Sequence, residues 1–464
     1  MTDVHLIGIG GSGLSAIARL LMESGKTVTG SDRVLSPEAQ ALIRDGARIS
    51  IGHDAKNVFG ADLVVRSSAI PDSNPEVQAA RKAGIPVLKR SDYLGQLMLD
   101  DKCIAIAGTH GKTTTSAMTA STMYALGVDP SYIIGGISKN LGSNAHAGTG
   151  GYFVIEADEY DRMFHGLNPD IAIITNMEHD HPDCFPTPQD YREAFDIFVD
   201  RLTADGVLLA CADNAQTAQL AAKAATAHSV FTYGQHENAH YQAQNIQRNE
   251  DGGYSFSIVH RAQPGAAAAP LAAVSLSVAG SHNIYNATAC MATMHQLGLD
   301  LPKAAVALQQ FSGAGRRFDL RGTASGVTII DDYAHHPTEI KATLEAARSR
   351  FQQRRIFVVW QPHAFTRSEA LQDEFIQALG NADQVIITKI YAAREKDNGF
   401  SAHLIAEKMP ASTTAYAPSL EDAEQQLLKK LQPGDVLLVL SAGDAIQISE
   451  NVFAALQKLE ADNA

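Results

Sequence analysis

The chain has 464 residues, 45% of them hydrophobic and 19% charged, with 37 lysines and arginines against 51 aspartates and glutamates, for a formal net charge of −14. That length predicts roughly two to four domains, each able to bury a core of its own, and the composition excludes a disordered or fibrous chain. The acidic balance argues against a nonspecific nucleic-acid or anionic-membrane binder, which needs a basic surface, so any phosphate site must concentrate its positive charge locally. Cys103, Cys184, Cys211 and Cys290 lack CxxC spacing, which points away from a disulfide framework or a zinc site. With no charged leader and no run of ~18 apolar residues, a cytoplasmic protein is expected.

Val4 to Ile9 is apolar and β-rich, and Gly8-Ile9-Gly10-Gly11-Ser12-Gly13 turns into an amphipathic run from Leu14 to Ser24. Lys26 to Gly30 resumes as strand and ends at Ser31-Asp32; Asp62 to Ser67 is another buried-strand candidate. Strands alternating with helices predict a parallel α/β sheet. The glycine turn suits a diphosphate on the helix starting near Ser12, and Asp32 falls where a dinucleotide fold keeps its ribose-binding acid. Alone, the motif fits NAD, any other nucleotide diphosphate, or tight strand–helix packing without a ligand.

A second unit begins at Cys103. Residues 105–115, AIAGTHGKTTT, run an apolar strand into Gly108-Thr109-His110-Gly111-Lys112-Thr113 and then into helix-compatible sequence. The glycines let backbone N–H groups and a helix N-terminus face phosphate oxygens. Lys112 can then reach the β/γ-phosphates and the Thr113 hydroxyl can join a Mg2+ shell. Ile106 stands where the first glycine of GxxxxGK[ST] belongs. An ATP site is predicted; a glycine turn with a solvent-facing lysine is the plain alternative. The strand Tyr152–Glu156 then delivers Glu156-Ala157-Asp158-Glu159-Tyr160-Asp161, acids at a strand end, where α/β folds hold Mg2+. The strand Ile171–Thr175 ends in Asn176-Met177-Glu178-His179-Asp180-His181-Pro182-Asp183, whose two histidines among acids could complete a second metal or acyl-phosphate site.

Residues 228–280, with short alternating stretches around a Gln263–Pro270 turn, predict an antiparallel insertion. Gly280 to Leu297 returns to helix; Asn283 and Asn286 at its start suit either a base edge or helix capping. The glycine- and arginine-rich stretch Gly313–Arg321 reads as a linker, with Arg316 and Arg317 suited to a γ-phosphate. A third α/β unit follows, with strands at Val327–Ile330, Ile356–Trp360, Gln384–Thr388 and Val436–Leu440. Asp331-Asp332-Tyr333-Ala334-His335-His336 and Gln361-Pro362-His363-Ala364-Phe365-Thr366-Arg367 follow the first two of them.

The ordered set GIGGSG, GTHGKTTT, EADEYD, TNMEHDHPD, HNIYNA, GAGRRFD, DDYAHHPTE and QPHAFTR, from Gly8 to about Arg394, resembles the Mur ligases, in particular the branch that joins L-alanine to UDP-N-acetylmuramate. The resemblance implies an α/β fold in three domains: a Rossmann-like UDP-sugar domain over 1–100, a central P-loop ATPase over 101–314 and a C-terminal Rossmann-like domain over 315–464 that receives the amino acid and closes over the ATP site. It moves the glycine turn from NAD to the UDP-sugar, with Gly10, Gly11, Ser12, Gly13, Asp32 and Ser67 as contacts. It gives ATP to Gly108, Thr109, His110, Gly111, Lys112, Thr113 and Thr114, with Asn286 at the adenine, Asp332 at the ribose and Arg317 at the phosphate. Thr113, Glu156 and His181 become the Mg2+ ligands, and His363 and Arg367 position the amino acid. Lys112, His181, Arg317 and His335 form the implied catalytic set, with His181 a ligand and not a general base. Some relatives carry Arg where this chain has Ala364, and the carbamylated lysine of sister ligases is absent, Phe195 standing near its position.

The implied reaction consumes ATP to make an acyl phosphate on the muramic acid carboxylate, which the alanine amine attacks, releasing ADP and phosphate in peptidoglycan precursor synthesis. The protein mainly positions groups and neutralises charge. The competing readings are a recycling ligase that adds an intact tripeptide to the same sugar nucleotide, an NAD-dependent oxidoreductase, and a non-catalytic nucleotide-binding regulator. No nucleic-acid or membrane partner is expected.

Overall fold

A computed structural model describes residues 3–250 and 252–462, and three sheets follow one another along the chain. The first contains β1 (Asp3–Ile7), β2 (Thr27–Asp32), β3 (Arg48–Ile51), β4 (Leu63–Arg66) and β5 (Val87–Lys89), all parallel, in the order β3-β2-β1-β4-β5. The helix Ser12–Glu23 covers it with Leu14, Ile17, Leu20 and Leu21, the i, i+3, i+6, i+7 stripe of its sequence.

The central sheet contains β6 (Lys102–Ala107), β7 (Ser131–Ile133), β8 (Ala145–His146), β9 (Tyr152–Glu156), β10 (Ile171–Ile174), β11 (Val207–Cys211), β12 (Ser229–Gly234), β13 (Tyr241–Arg248), β14 (Tyr254–His260) and β15 (Ala269–Leu276). Their order is β15-β14-β13-β12-β11-β10-β6-β9-β7-β8. From β6 the chain first builds β7, β8 and β9 on one side and then crosses to β10 on the other, so the strand order reverses at β6. The crevice at the carboxyl end of β6 is where an open α/β sheet takes its ligand. Only β13–β15 form the expected antiparallel extension; β12 pairs parallel with both β11 and β13. Short alternation specifies a strand but not its direction.

The C-terminal sheet contains β16 (Asp319–Ala324), β17 (Val327–Asp332), β18 (Ile356–Trp360), β19 (Gln384–Thr388), β20 (Thr414–Ala417) and β21 (Val436–Leu440), in the order β16-β17-β21-β18-β19-β20. All pairs are parallel except β16–β17. The expected Gly313–Arg321 linker is therefore shorter than its sequence suggests. From Asp319 the chain is an edge strand, whose weak pattern (Leu320 exposed, Gly322 at a register shift) hides a ladder built against β17.

The two junctions differ in kind. One apolar cluster runs unbroken from the first unit into the second, joining Leu21, Tyr93 and Met98 to Phe164, Phe195 and Phe198. There the helix Arg90–Leu97 meets the turn Tyr160–Gly166 backbone to backbone: a Cβ on Gly95 would lie 2.3 Å from the Gly166 carbonyl oxygen. The C-terminal unit has separate cores around Trp360, Phe375, Val327 and Leu437. It meets the central unit through polar side chains such as Lys139–Asp319 (2.6 Å) and Thr338–Glu178 (2.9 Å). No helix among the described residues is long and apolar enough to cross a membrane.

Candidate active site at the domain seam

The buried β6 delivers Gly108, and Gly111, at φ +82°, caps the helix Lys112–Ala125. That conformation favours glycine, and a Cβ there would also stand 2.8 Å from Asn286 Oδ1. Lys112 Nζ donates back to the carbonyls of Gly108 and Thr109 and lies 2.8 Å from Glu159 Oε2. Burial works against its charge, but Glu159, Asp158 and Glu156 hold its pKa above the ordinary lysine value. Thr113 Oγ1 donates to Glu156 Oε1 at 3.0 Å, and Glu156 Oε2 accepts from the Gly135 N–H at 2.6 Å. Burial pushes the Glu156 carboxyl up against the pull of Lys112. Adjacent ligands of an octahedral Mg2+ stand about 3 Å apart, so this all-oxygen pair has the chemistry and spacing of a hard-cation site. Thr114 is half-buried in the same first turn.

Asn286 is buried under the loop, accepting from Thr115 Oγ1 (3.1 Å) and donating to Asn283 Oδ1 (2.9 Å). Asn283 donates to the Ala279 carbonyl, and no side chain caps this helix, so the capping alternative does not hold. The Thr109 hydroxyl lies 2.8 Å from Tyr191 Oη and accepts from the Glu178 N–H.

Beyond β10, Glu178 Oε2 lies 2.8 Å from His110 Nε2, while His110 Nδ1 is 3.2 Å from Glu339 Oε1. Both ring nitrogens face carboxylates, so both donate. Burial opposes the charge, yet the two hydrogen bonds win and push the His110 pKa up to about 9. His110, Glu178 and His336 also bring one ligand atom each within 4.8 Å of one another, but His110, donating from both nitrogens, would have to lose a proton before this group could hold a metal ion. His179 donates Nε2–H to the Phe185 carbonyl, away from this crevice. His181, at φ +55°, stays in it, its Nε2 lying 3.8 Å from Glu159 Oε1 and 3.7 Å from Asp180 Oδ2.

The C-terminal unit supplies the opposite wall. Arg317 stacks over Tyr333 and lies 3.7 Å from Glu339. Asp332 accepts from the Phe318 and Ala334 N–H groups, and burial pushes its pKa up to about 6 against Arg317. His335 donates Nδ1–H to the Tyr333 carbonyl (3.1 Å); burial lowers its pKa to about 3, so it is uncharged. His363, lowered to about 4 by burial and by Arg367, packs its ring 5.6 Å from that of His335. Arg367 donates through Nε (3.0 Å) and Nη2 (2.7 Å) to one oxygen of Asp180, both side chains buried, leaving Nη1 toward His363. The guanidinium that the resemblance assigns to the amino acid thus spends two donors on the central unit. A chain of contacts runs Lys112–Glu159–His181–Asp180–Arg367 across the seam.

In the first unit, Asp32 Oδ2 accepts from the Gly10 N–H (2.9 Å), and Ser36 Oγ donates to the Gly10 carbonyl. Gly11 caps the Ser12–Glu23 helix without a side chain, leaving the Ser12–Gly13 turn free of any side-chain cap. Ser67 lies beside Gly8, their Cβ positions 3.1 Å apart. Arg90, unmarked in the sequence, reaches over Gly13 and lies 3.8 Å from Asp158 Oδ2. Glu159, Glu178 and Glu339 stand inside the recognised clusters; only the fold distinguishes them from solvated neighbours.

The chain matches the Mur ligase family catalytic domain over residues 3–102, the Mur ligase middle domain over 106–294 and the Mur ligase glutamate ligase domain over 316–443. It belongs to the Mur ligase family, and it is an enzyme, a ligase. It is 42% identical over 451 residues to the UDP-N-acetylmuramate–L-alanine ligase of Acidithiobacillus ferrooxidans, covering 96% of each chain. It is 38% identical over 461 residues to the protein of that name from Caldanaerobacter subterraneus subsp. tengcongensis, covering 98% of each. The crystal structure of the Thermotoga maritima UDP-N-acetylmuramate-alanine ligase superposes with a TM-score of 0.83 at 28% identity, covering 99% of this chain and 100% of that one. The murein peptide ligase of Psychrobacter arcticus gives 0.72 at 26%, covering 98% and 99%.

Proposed function

We infer that this chain joins L-alanine to the carboxylate of UDP-N-acetylmuramate at the expense of ATP, in peptidoglycan precursor synthesis. The observation that carries this is the near full-length identity to proteins of that name. The higher TM-score to the alanine ligase than to the murein peptide ligase, 0.83 against 0.72, supports it over the tripeptide-adding alternative. An NAD-dependent oxidoreductase would leave the phosphate loop and Arg317 without a task.

The geometry supports the following roles. Residues 1–100 would hold the sugar nucleotide on the Gly10–Gly13 turn, with Asp32 fixing that turn and Ser67 beside it; 101–314 would hold ATP, and 315–464 the amino acid. Gly108–Thr114 would wrap the triphosphate, with Asn286 beneath the loop and Asp332 and Arg317 approaching from the C-terminal wall. Lys112 would leave the carbonyls it now contacts to neutralise the transferring phosphoryl group. Thr113 and Glu156, with His181 at a second position, would hold Mg2+, which supplies charge neutralisation at the phosphate oxygens. The carboxylate oxygen of the sugar attacks the γ-phosphorus and ADP leaves; the alanine amine then attacks the acyl carbon and phosphate leaves. His363 and the Nη1 face of Arg367 would orient the alanine carboxylate, with His335 an uncharged neighbour. Four unpaired cysteines and the need for ATP suit a cytoplasmic enzyme. Phosphate release measured with L-alanine and, in parallel, with the tripeptide tests the inference: turnover with the tripeptide alone overturns it.

A further inference from the structure

The short helix Phe365–Ala370 carries Arg367, and His363 stands just before it. Its entry is unusual: Ala364, a non-glycine residue, holds φ +68° and ψ 137°, a conformation that costs energy and persists only where the surroundings impose it. No side chain of the helix's own N-cap satisfies the first N–H groups.

The surroundings come from one loop, residues 391–395, after β19. The Tyr391 N–H donates to the Pro362 carbonyl (2.8 Å) and the Ala364 N–H to the Tyr391 carbonyl (2.9 Å), pinning both sides of His363. The rings of Tyr391 and His363 stack at 5.7 Å. Glu395 completes the clamp. Its Oε2 accepts the N–H groups of Phe365 (2.5 Å) and Thr366 (3.0 Å), and its Oε1 accepts the Thr366 hydroxyl. One carboxylate thus takes three donors from the first turn of the helix that aims Arg367. Its neighbour Arg394 reaches the central unit, its guanidinium 4.6 Å from the centre of the Tyr160 ring.

We propose that Glu395 is a positioning residue for amino-acid recognition: it touches no substrate, but holds the strained Ala364 entry and so fixes where His363 and Arg367 point. The proposal rests on the assignment of His363 and Arg367 to the amino acid. Alanine offers one methyl group, one carboxylate and one amine, so its recognition depends on placement more than on contact area. Loss of the clamp therefore falls on alanine: the sugar nucleotide is held by another unit, and Arg317 and Asp332, which face ATP, are held by Tyr333, Phe318 and Ala334 and not by this loop.

The test is steady-state kinetics on Glu395→Ala and Glu395→Gln, with KM measured separately for L-alanine, ATP and UDP-N-acetylmuramate. Glu395→Ala is expected to raise the KM for L-alanine about 5- to 30-fold with the other two within about twofold, the loss of a helix cap being worth that much. Glu395→Gln, whose amide oxygen still accepts, is expected to fall between it and wild type. A partly unfolded enzyme would lower kcat and raise no single KM, so destabilisation reads differently. If Glu395→Ala does not fold, the glutamine variant carries the test. An unchanged KM for L-alanine in the folded glutamate variants, beside a raised one in Arg367→Ala, overturns the proposal and leaves the function intact. A wild-type enzyme that does not turn over L-alanine overturns the function itself.

Discussion

The Asp180–Arg367 pair allows a worked test of the seam. Its two N–H groups converge on a single oxygen at 3.0 and 2.7 Å, and the side chains are only 6% and 5% exposed. The carboxyl is held well below the usual aspartate range; burial opposes this, and Arg367 and His181 outweigh it. Removing one partner of such a pair leaves a buried charge uncompensated, a cost of about 3 kcal/mol, or roughly 150-fold. A two-part molecule evades that cost by opening, which returns the orphaned group to water. The loss is therefore expected in kcat/KM for L-alanine and not in thermal stability. Asp180→Asn, Arg367→Ala and the double variant form a cycle, read by phosphate release. The double variant is expected to be about as impaired as the worse single one, a coupling near the full 150-fold. If the two single effects simply multiply, the pair does not hold the seam and the reasoning fails.

Lys112→Ala should abolish ligation, by roughly 10^3 or more, while UDP-N-acetylmuramate still binds by calorimetry; retention of more than about a tenth of kcat would refute the phosphate assignment. Glu156→Gln and His181→Ala should each raise the Mg2+ concentration for half-maximal rate, and an unchanged titration in both would count against the two-metal arrangement. His110, with a folded-state pKa raised from 6.5 to about 9, contributes stability that is fully present below about pH 6.5 and is lost as pH rises through about 9. Denaturant unfolding should show that decline, at most about 3 kcal/mol, and His110→Gln should flatten it; an unaltered slope in the variant would show that the imidazolium is not its source.

Much of this architecture is legible locally. Ile356–Trp360, Gln384–Thr388 and Val436–Leu440 are read to the residue, because a strand buried on both faces is an unbroken apolar run. The polar clusters lie where the parallel strands end, which is why the segments carrying Lys112, Glu156, His181, Asp332 and His363 stand out in one chain, although their individual roles came from the resemblance. What the sequence withholds is partnership. Asp180 stands 187 positions from Arg367, and no periodicity links them. Glu395 and Arg90 look like ordinary surface charges until the fold sets them against the Phe365 turn and Gly13. β16 escapes because an edge strand with a glycine at its bulge has neither alternation nor a hydrophobic run.

The contrast between the two junctions sets how the molecule can breathe. The first two units share one dry interior, and parting them would wet Phe164, Phe195 and Tyr93 at about 25 cal/mol per Å² of apolar area. The third unit is joined through groups that water can replace one for one. Mechanically, this is a rigid anvil with a single hinged hammer: the sugar nucleotide and the phosphate loop would meet on a preassembled floor, and the C-terminal wall, carrying Arg317, Asp332 and the amino-acid end, would swing. Salt and denaturant should therefore loosen the enzyme from its C-terminal side first, with early proteolytic nicking at the short crossing from Gly313 to Phe318.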